Sequence, residues 1–478
     1  MRVLIANPPW PGEGYGTRTN IRWPHRRGDK VLTFPVYLAT ALAVLKKNGF
    51  DAKGIDAVEK EFGIPAFVDY VKKFNPEIIL LEVSTPSIMY DLETAFQIKK
   101  EVNCLVVLWG PHASYFDKEI IENYKFVDLI IKGELDCTLL ELCNNYSNKK
   151  GVKEIRGITY REKDKVIVND PRELIDNLDE LPFADREDFR IEKYQQAFYT
   201  GKKAALLIST RGCPYRCTFC LWPDTLYGHK FRARSAKNVA EEIEFLKRNY
   251  NIDEIYFDDD SFLIDKERVR ELCNELIKRK INLIWRCMAR VNNVDEETLG
   301  LMKKAGCKDI FYGFESGSDK ILKTSSKGIT KEQIINAVKL TKKAGIMSSG
   351  SFVIGLPEES KETISETIKF AKQVHADYVQ FTLAAAFPGT KLYEEARSMN
   401  LFEYNSWEDF DGCHGAVMKT KYLSKKELNG IIRKMNLRYY TSPRVIFQNM
   451  RSIRNLKDIR RIIRGVSSII SRIMFYKG

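Results

Sequence analysis

Short apolar runs alternating with helix-length amphipathic segments constrain this chain more than any other pattern in it. Strands are expected at residues 3–6, 51–56, 78–83, 105–109 and 129–132. They recur at 204–210, 254–258, 282–286, 309–313, 349–354 and 378–383. Each run has the length of a buried strand, and the segments between carry the apolar period of helices. The clearest of these segments, 35–48, stops at Gly49, where a helix can end. Such alternation builds parallel sheets covered by helices, so the expected fold class is α/β. Residues 1–150 read as a doubly wound, Rossmann-like domain, and 151–200 as a connector containing a charged hairpin at 157–170. Residues 201–400 read as a partial TIM-type barrel of six β/α units, and 401–478 as a helical region with a basic tail. Six units are too few to close an eight-stranded barrel. In both architectures ligands bind beyond the carboxyl ends of the strands, which is where candidate site residues are sought.

One such strand end carries Cys213-Pro-Tyr-Arg-Cys217-Thr-Phe-Cys220, directly after the apolar run Ala204-Ala205-Leu206-Leu207-Ile208. Soft thiolates suit iron–sulfur sites. Three of them on one short loop can hold three irons of a [4Fe–4S] cube and leave the fourth open to a small molecule. Zinc is the rival, with His229 as a fourth ligand, although structural zinc sites usually pair two cysteine knuckles and one is present. Ten cysteines in 478 residues are too sparse for a disulfide scaffold. The opening Met1-Arg2-Val3-Leu4-Ile5-Ala6 reads as a strand and not a secretory signal, so a reducing cytoplasm is expected. The other seven cysteines, Cys104, Cys137, Cys143, Cys273, Cys287, Cys307 and Cys413, read as buried free thiols.

The Cys-x3-Cys-x2-Cys spacing resembles the signature of the radical S-adenosylmethionine (SAM) superfamily. That resemblance implies a [4Fe–4S] cluster on Cys213, Cys217 and Cys220, with SAM chelating the open iron and cleaved there to a 5′-deoxyadenosyl radical. It also assigns roles to later strand ends. Asp258 and Asp259, in Phe257-Asp258-Asp259-Asp260-Ser261, would meet the SAM amino group; a helix cap is the plainer reading. Glu315 and Ser316 would meet the ribose, Gly355 would lie on the adenine side, and Phe219 would pack on SAM. Phe387-Pro388-Gly389-Thr390 resembles a further loop of the superfamily. No base-partnered nucleophile is legible, so no catalytic residue is assigned beyond the cluster and SAM.

The first domain resembles the cobalamin-binding domain that precedes many radical SAM domains, most distinctively in Gly110-Pro111-His112-Ala113-Ser114 and Gly133-Glu134. The implied cobalamin contacts are Asn7, Pro9, Ser84, Thr85, Gly110, His112, Gly133 and Glu134. The Asp-x-His-x-x-Gly motif of many cobalamin proteins is absent, which implies binding without a protein imidazole, or a domain that keeps the shape alone. Cys220-Leu221-Trp222-Pro223 and residues 228–235 are similar to hopanoid-associated proteins of the HpnJ type, in a wider group with the anaerobic magnesium-protoporphyrin cyclase.

Charge bears on the substrate. The net charge is +13, and residues 441–478 hold nine Lys/Arg against one Asp. Basic and apolar positions alternate there at helical spacing, a form suited to an anionic membrane surface more than to nucleic acid. The expected substrate is therefore a lipid or lipid-linked sugar, with methylation or rearrangement of an unactivated carbon. A non-lipid natural product or a tetrapyrrole is the alternative. A zinc-stabilised RNA-binding protein and a non-catalytic corrinoid carrier are the readings from other classes. The resemblance further implies an electron donor such as flavodoxin or ferredoxin and a cytoplasmic enzyme, peripheral at the membrane.

Overall fold

The computed structural model describes residues 1–446 except 13, 19–23, 28–31, 195–202, 412–414 and 444. Cys413 and nearly all of the basic tail lie outside the described residues. Among the described residues no helix is long and apolar enough to cross a membrane.

Seventeen strands are described. The first nine are β1 (Arg2–Asn7), β2 (Tyr15–Thr17), β3 (His25–Arg27), β4 (Asp51–Asp56), β5 (Ile78–Glu82), β6 (Leu105–Trp109), β7 (Leu129–Ile131), β8 (Ile158–Glu162) and β9 (Lys165–Val168). All but the β2–β3 hairpin form one sheet, in the order β4-β1-β5-β6-β7-β8-β9. Its first five strands are parallel, as expected of a doubly wound unit, and β8 and β9 are added antiparallel. The charged hairpin thus belongs to the first sheet and not to a free connector. Ile158, Thr159 and Tyr160 are buried there, which anchors β8 against β7.

The next eight strands are β10 (Ala204–Leu207), β11 (Thr210–Arg211), β12 (Arg232–Ala233), β13 (Glu254–Phe257), β14 (Ile284–Ala289), β15 (Cys307–Glu315), β16 (Met347–Ile354) and β17 (Tyr378–Leu383). β10, β13, β14, β15, β16 and β17 lie side by side in sequence order and run parallel, giving the expected six-unit open barrel. Its helices begin on sequence-encoded caps. Ser235, Asp265, Asp295, Thr330 and Ser360 each accept the N–H three residues on.

Two strands ended later than expected. β14 runs to Ala289 and β15 to Glu315, so the barrel mouth begins at Arg290 and Ser316.

The two sheets share one hydrophobic cluster. Val3, Ile5 and Trp109 of the first, with Tyr37 of the helix that follows β3, pack with Leu206 of the second and with Leu221, Trp222, Tyr227 and Phe387 from segments outside its strands. Tyr37 stacks on Tyr227 at 4.8 Å and meets Trp222 edge-on at 5.6 Å. Burying several aromatic side chains at one seam fixes the cysteine loop against the strand ends of the first sheet.

Candidate active site

β11 and β12 pair as a short antiparallel hairpin, and the three cysteines lie in the loop between them. Asp259 holds the entry to that loop. Its Oδ1 accepts the N–H groups of Ser209 and Thr210 at 2.6 and 2.8 Å, and its Oδ2 accepts the Ser209 hydroxyl at 2.6 Å. Arg268 donates to the same hydroxyl at 2.6 Å. Gly212 follows with φ +82°, and a Cβ on it would lie 2.3 Å from the Lys230 carbonyl oxygen. The turn into Cys213 therefore requires glycine. Beyond it, Thr218 donates its N–H to Ser325 O at 3.1 Å, and its carbonyl accepts the Leu392 N–H at 2.7 Å. Two later barrel segments thus hold the centre of the cysteine loop.

Cys213 and Cys217 are buried and Cys220 is half-buried. Burial pushes the Cys213 thiol up to about 11, with the Asp260 carboxylate adding to the shift. Arg290, the first residue past β14, directs Nη1 to the Cys217 sulfur at 3.4 Å. Its Nη2 donates to the Lys327 carbonyl, and its guanidinium lies 3.6 Å over the Tyr215 ring. Lys327 in turn pairs with Glu315 at 2.7 Å. Burial by itself would lower the Lys327 pKa, but the Glu315 carboxylate and the Cys217 sulfur oppose it and the net shift is upward. Arg290 and Lys327 were not foreseen from the sequence.

This donor set fits an iron–sulfur cluster. Three thiols share one clamped loop, and a buried guanidinium points at one of them. Among the described residues no three His, Cys, Asp or Glu side chains converge as a single metal ion requires. Irons at separate corners of a cube need no such convergence. The zinc rival also loses its fourth ligand. His229 contacts Cys213 O at 2.9 Å through Nδ1 and Asp224 at 2.8 Å through Nε2, so both ring nitrogens are engaged.

The expected SAM contacts divide. Asp258 lies buried at the end of β13, and Glu315 closes β15 with a left-handed φ of +59°. Gly355, at φ +96°, donates its N–H to the Glu359 carboxylate. Asp259 clamps the loop, with both of its oxygens accepting from Ser209 and Thr210. Ser316 also has internal partners. Its hydroxyl contacts Thr367 at 3.1 Å and accepts the Ser318 N–H at 3.1 Å, which turns it into the protein. Phe219 packs with Leu356, Ala384 and Ala386 in an apolar cluster.

At the strand ends of the first sheet the polar groups pair internally. Asn7 donates to Asp56 at 2.9 Å and accepts from buried Arg18, which also donates to Pro9 O at 3.0 Å. Ser84 Oγ lies 2.8 Å from Ser87 Oγ, and Thr85 Oγ1 lies 3.1 Å from His112 Nδ1. Burial lowers His112 to about 3, so the ring is neutral, and it packs edge-on against Trp407 at 5.1 Å. Gly110 is there for the backbone, as a Cβ would lie 2.1 Å from Val83 O; Gly133 takes φ +70°. Asn7 and Glu134 take part in this internal pairing. Glu134 forms buried ion pairs with Arg211 and Arg232 at 3.2 and 2.9 Å. What fits a large polar-edged ligand here is the small-residue turn after β6, together with Ser114, whose buried Oγ has no hydrogen-bond partner among the described residues.

Residues 207–371 match the family model of the radical SAM superfamily. The chain is 34% identical over 427 residues to the uncharacterized methyltransferase PH0819 of Pyrococcus horikoshii, covering 89% of this chain and 92% of that protein. The chain belongs to the radical SAM superfamily. It is therefore a radical SAM enzyme. It is also 28% identical over 423 residues to the anaerobic magnesium-protoporphyrin IX monomethyl ester cyclase of Rubrivivax gelatinosus, covering 85% of this chain and 72% of the cyclase. In fold it resembles OxsB, a cobalamin-dependent SAM radical enzyme solved with aqua-cobalamin and SAM bound. The TM-score is 0.73 at 18% identity, over 99% of this chain and 72% of OxsB.

Proposed function

We propose that this radical SAM enzyme uses a corrinoid to methylate or rearrange a carbon of a tetrapyrrole or a comparable natural product. The observation that carries the reading is the docking of the cysteine loop onto the strand ends of the first sheet, through Glu134, Arg211, Arg232 and the Tyr37–Trp222–Tyr227 seam. A second cofactor held over that sheet would then lie beside the barrel mouth. When bound, the cluster with SAM supplies a 5′-deoxyadenosyl radical and the corrinoid supplies methyl transfer. The protein's part is to hold and enclose. Cys213, Cys217 and Cys220 anchor the cluster, Asp258 and Glu315 offer carboxylates at the mouth for SAM, and Phe219, Leu356 and Ala386 keep that mouth dry. Over the first sheet, Ser84, Thr85, neutral His112 and Ser114 are the groups offered to a corrinoid. The names of the relatives favour a tetrapyrrole or natural product over the lipid-linked substrate. The lipid reading rests on the basic, amphipathic pattern of residues 453–475, and HpnJ-type kinship has that pattern and the local motif matches as its support.

The test is anaerobic reconstitution with iron and sulfide, then incubation with SAM, dithionite and hydroxocobalamin. Broad cluster absorbance, 5′-deoxyadenosine and methylated cobalamin are expected from the parent, with the first two lost in C217A. A parent protein that binds iron and makes 5′-deoxyadenosine but neither retains nor methylates cobalamin would remove the corrinoid from this reading. Magnesium-protoporphyrin esters and chlorins are the first substrates to assay, with anionic liposome binding as the check on the lipid alternative.

A further inference from the structure

The buried cations of β14 and the barrel mouth are not alike. Lys327 pairs with Glu315 at 2.7 Å, and Arg286 pairs with Glu254 and Asp309 at 2.5 and 3.2 Å. Arg290 is only 4% exposed, yet among the described residues no carboxylate pairs with it. A guanidinium stays charged at any pH a protein survives, and burying an unbalanced charge is costly. The group opposite is the Cys217 sulfur, 3.4 Å from Nη1. The orientation is fixed from two sides. Nη2 donates to the Lys327 carbonyl, the Tyr215 ring lies 3.6 Å below, and Tyr215 is itself tethered through its hydroxyl to Asn293 at 3.0 Å. Such a brace holds one N–H on one sulfur.

We propose that Arg290 sets the reduction potential of the cluster by donating a charged N–H to the Cys217 sulfur. The inference rests on the cluster reading of Cys213, Cys217 and Cys220. Reduction adds one negative charge to a thiolate-held group, and hydrogen bonds to sulfur and the local net charge are what set such potentials. A fixed cation and a charge-assisted N–H···S bond stabilise the reduced form more than the oxidised one. Arg290 therefore raises the potential and brings the cluster within reach of a low-potential one-electron carrier.

Full-length parent, R290Q and R290K are reconstituted anaerobically, assayed for iron, and titrated with dithionite under a monitored potential while the EPR signal of the reduced cluster is recorded. R290Q is expected to load iron like the parent and to show about a tenfold lower reduced-to-oxidised ratio at a given potential, about 59 mV for one electron. R290K keeps the charge without the planar fork, and its potential should fall between the two. Full iron loading of R290Q with the parent's potential overturns the proposal and leaves the cluster reading standing. Failure of the parent to load iron overturns the cluster reading and this inference with it. Should R290Q alone fail to load, R290K decides: a potential equal to the parent's counts against Arg290, and an intermediate one supports it.

Discussion

Both carboxylate oxygens of Glu134 lie 2.9 Å from Nη1 of Arg232, tying the end of β7 to the hairpin that frames the cysteine loop. Arg211, on the facing strand of that hairpin, adds bonds to Glu134 at 3.2 Å and to Asp136 at 2.6 Å. All four side chains are nearly inaccessible to solvent. Removing one partner of a buried ion pair leaves its counter-charge unmatched, here that of Arg232, at about 3–5 kcal/mol. E134A should lose stability on that scale in urea unfolding and should release iron from the reconstituted protein. A change below about 1 kcal/mol would mean that the two sheets are held by the aromatic seam alone.

Asp259 separates two roles that the run of three acids leaves open. As a clamp it satisfies three donors of Ser209 and Thr210, and each buried donor left unmet costs about 1–3 kcal/mol. D259A should therefore bind less iron, while the fraction that does bind it retains the parent's affinity for SAM. D258N should do the reverse, loading iron normally and binding SAM more weakly. Equilibrium dialysis with labelled SAM on iron-quantified protein distinguishes the two. A selective loss of SAM affinity in D259A would return Asp259 to the ligand.

The fold and the cluster ligands were legible because they depend on local pattern. The apolar runs of β1, β5, β6, β10, β13, β16 and β17 announce strands, and three cysteines within eight residues announce one site. Arg290 was hidden by a strand boundary. Arg286 reads as the polar end of β14, but Glu254 and Asp309 neutralise it inside the sheet, so the strand continues to Ala289. The ion pairing of Glu134 was hidden for a different reason. Its arginine partners lie 77 and 98 residues away, and a Gly-Glu pair at a strand end gives no sign of them. Pairing between distant charges is a property of the tertiary fold, and no periodicity encodes it.

Gly212 makes the cysteine loop sensitive to a single methyl group. Its φ of +82° is strained for any L side chain, and the Lys230 carbonyl would stand 2.3 Å from the added carbon. Backbone oxygen cannot rotate away as a side chain could, so G212A must displace the β11–β12 hairpin. We expect G212A to fold, as judged by circular dichroism, but to retain little iron. G133A is the control: it shares a left-handed φ of +70° but meets nothing closer than 3.6 Å, and should load iron almost as the parent does.

Glu359 gives the protein a pH dependence that can be read in isolation. Its carboxyl is fully buried and burial pushes it up to about 8, against the two N–H groups of Gly355 and Leu356 that oppose the shift. Between its ordinary value near 4.5 and about 8, the folded chain holds a proton that the unfolded chain has released. Stability must then fall as pH rises through that window, by at most about 1.4 kcal/mol per unit. His112 acts in the opposite direction. With a folded value of about 3 against 6.5, it makes stability rise with pH between those limits and contributes no slope above 6.5. Asp56, raised to about 6 by burial, adds a falling slope that is complete by that pH. Of these three groups Glu359 alone remains active from 6.5 to 8. E359Q keeps an acceptor for the two N–H groups and cannot ionise, so its unfolding free energy should be flatter than the parent's across that interval. Parallel curves from urea titrations at pH 6.5, 7.2 and 8 would show that the carboxyl is already ionised in the folded protein, with its charge met by a donor beyond Gly355 and Leu356.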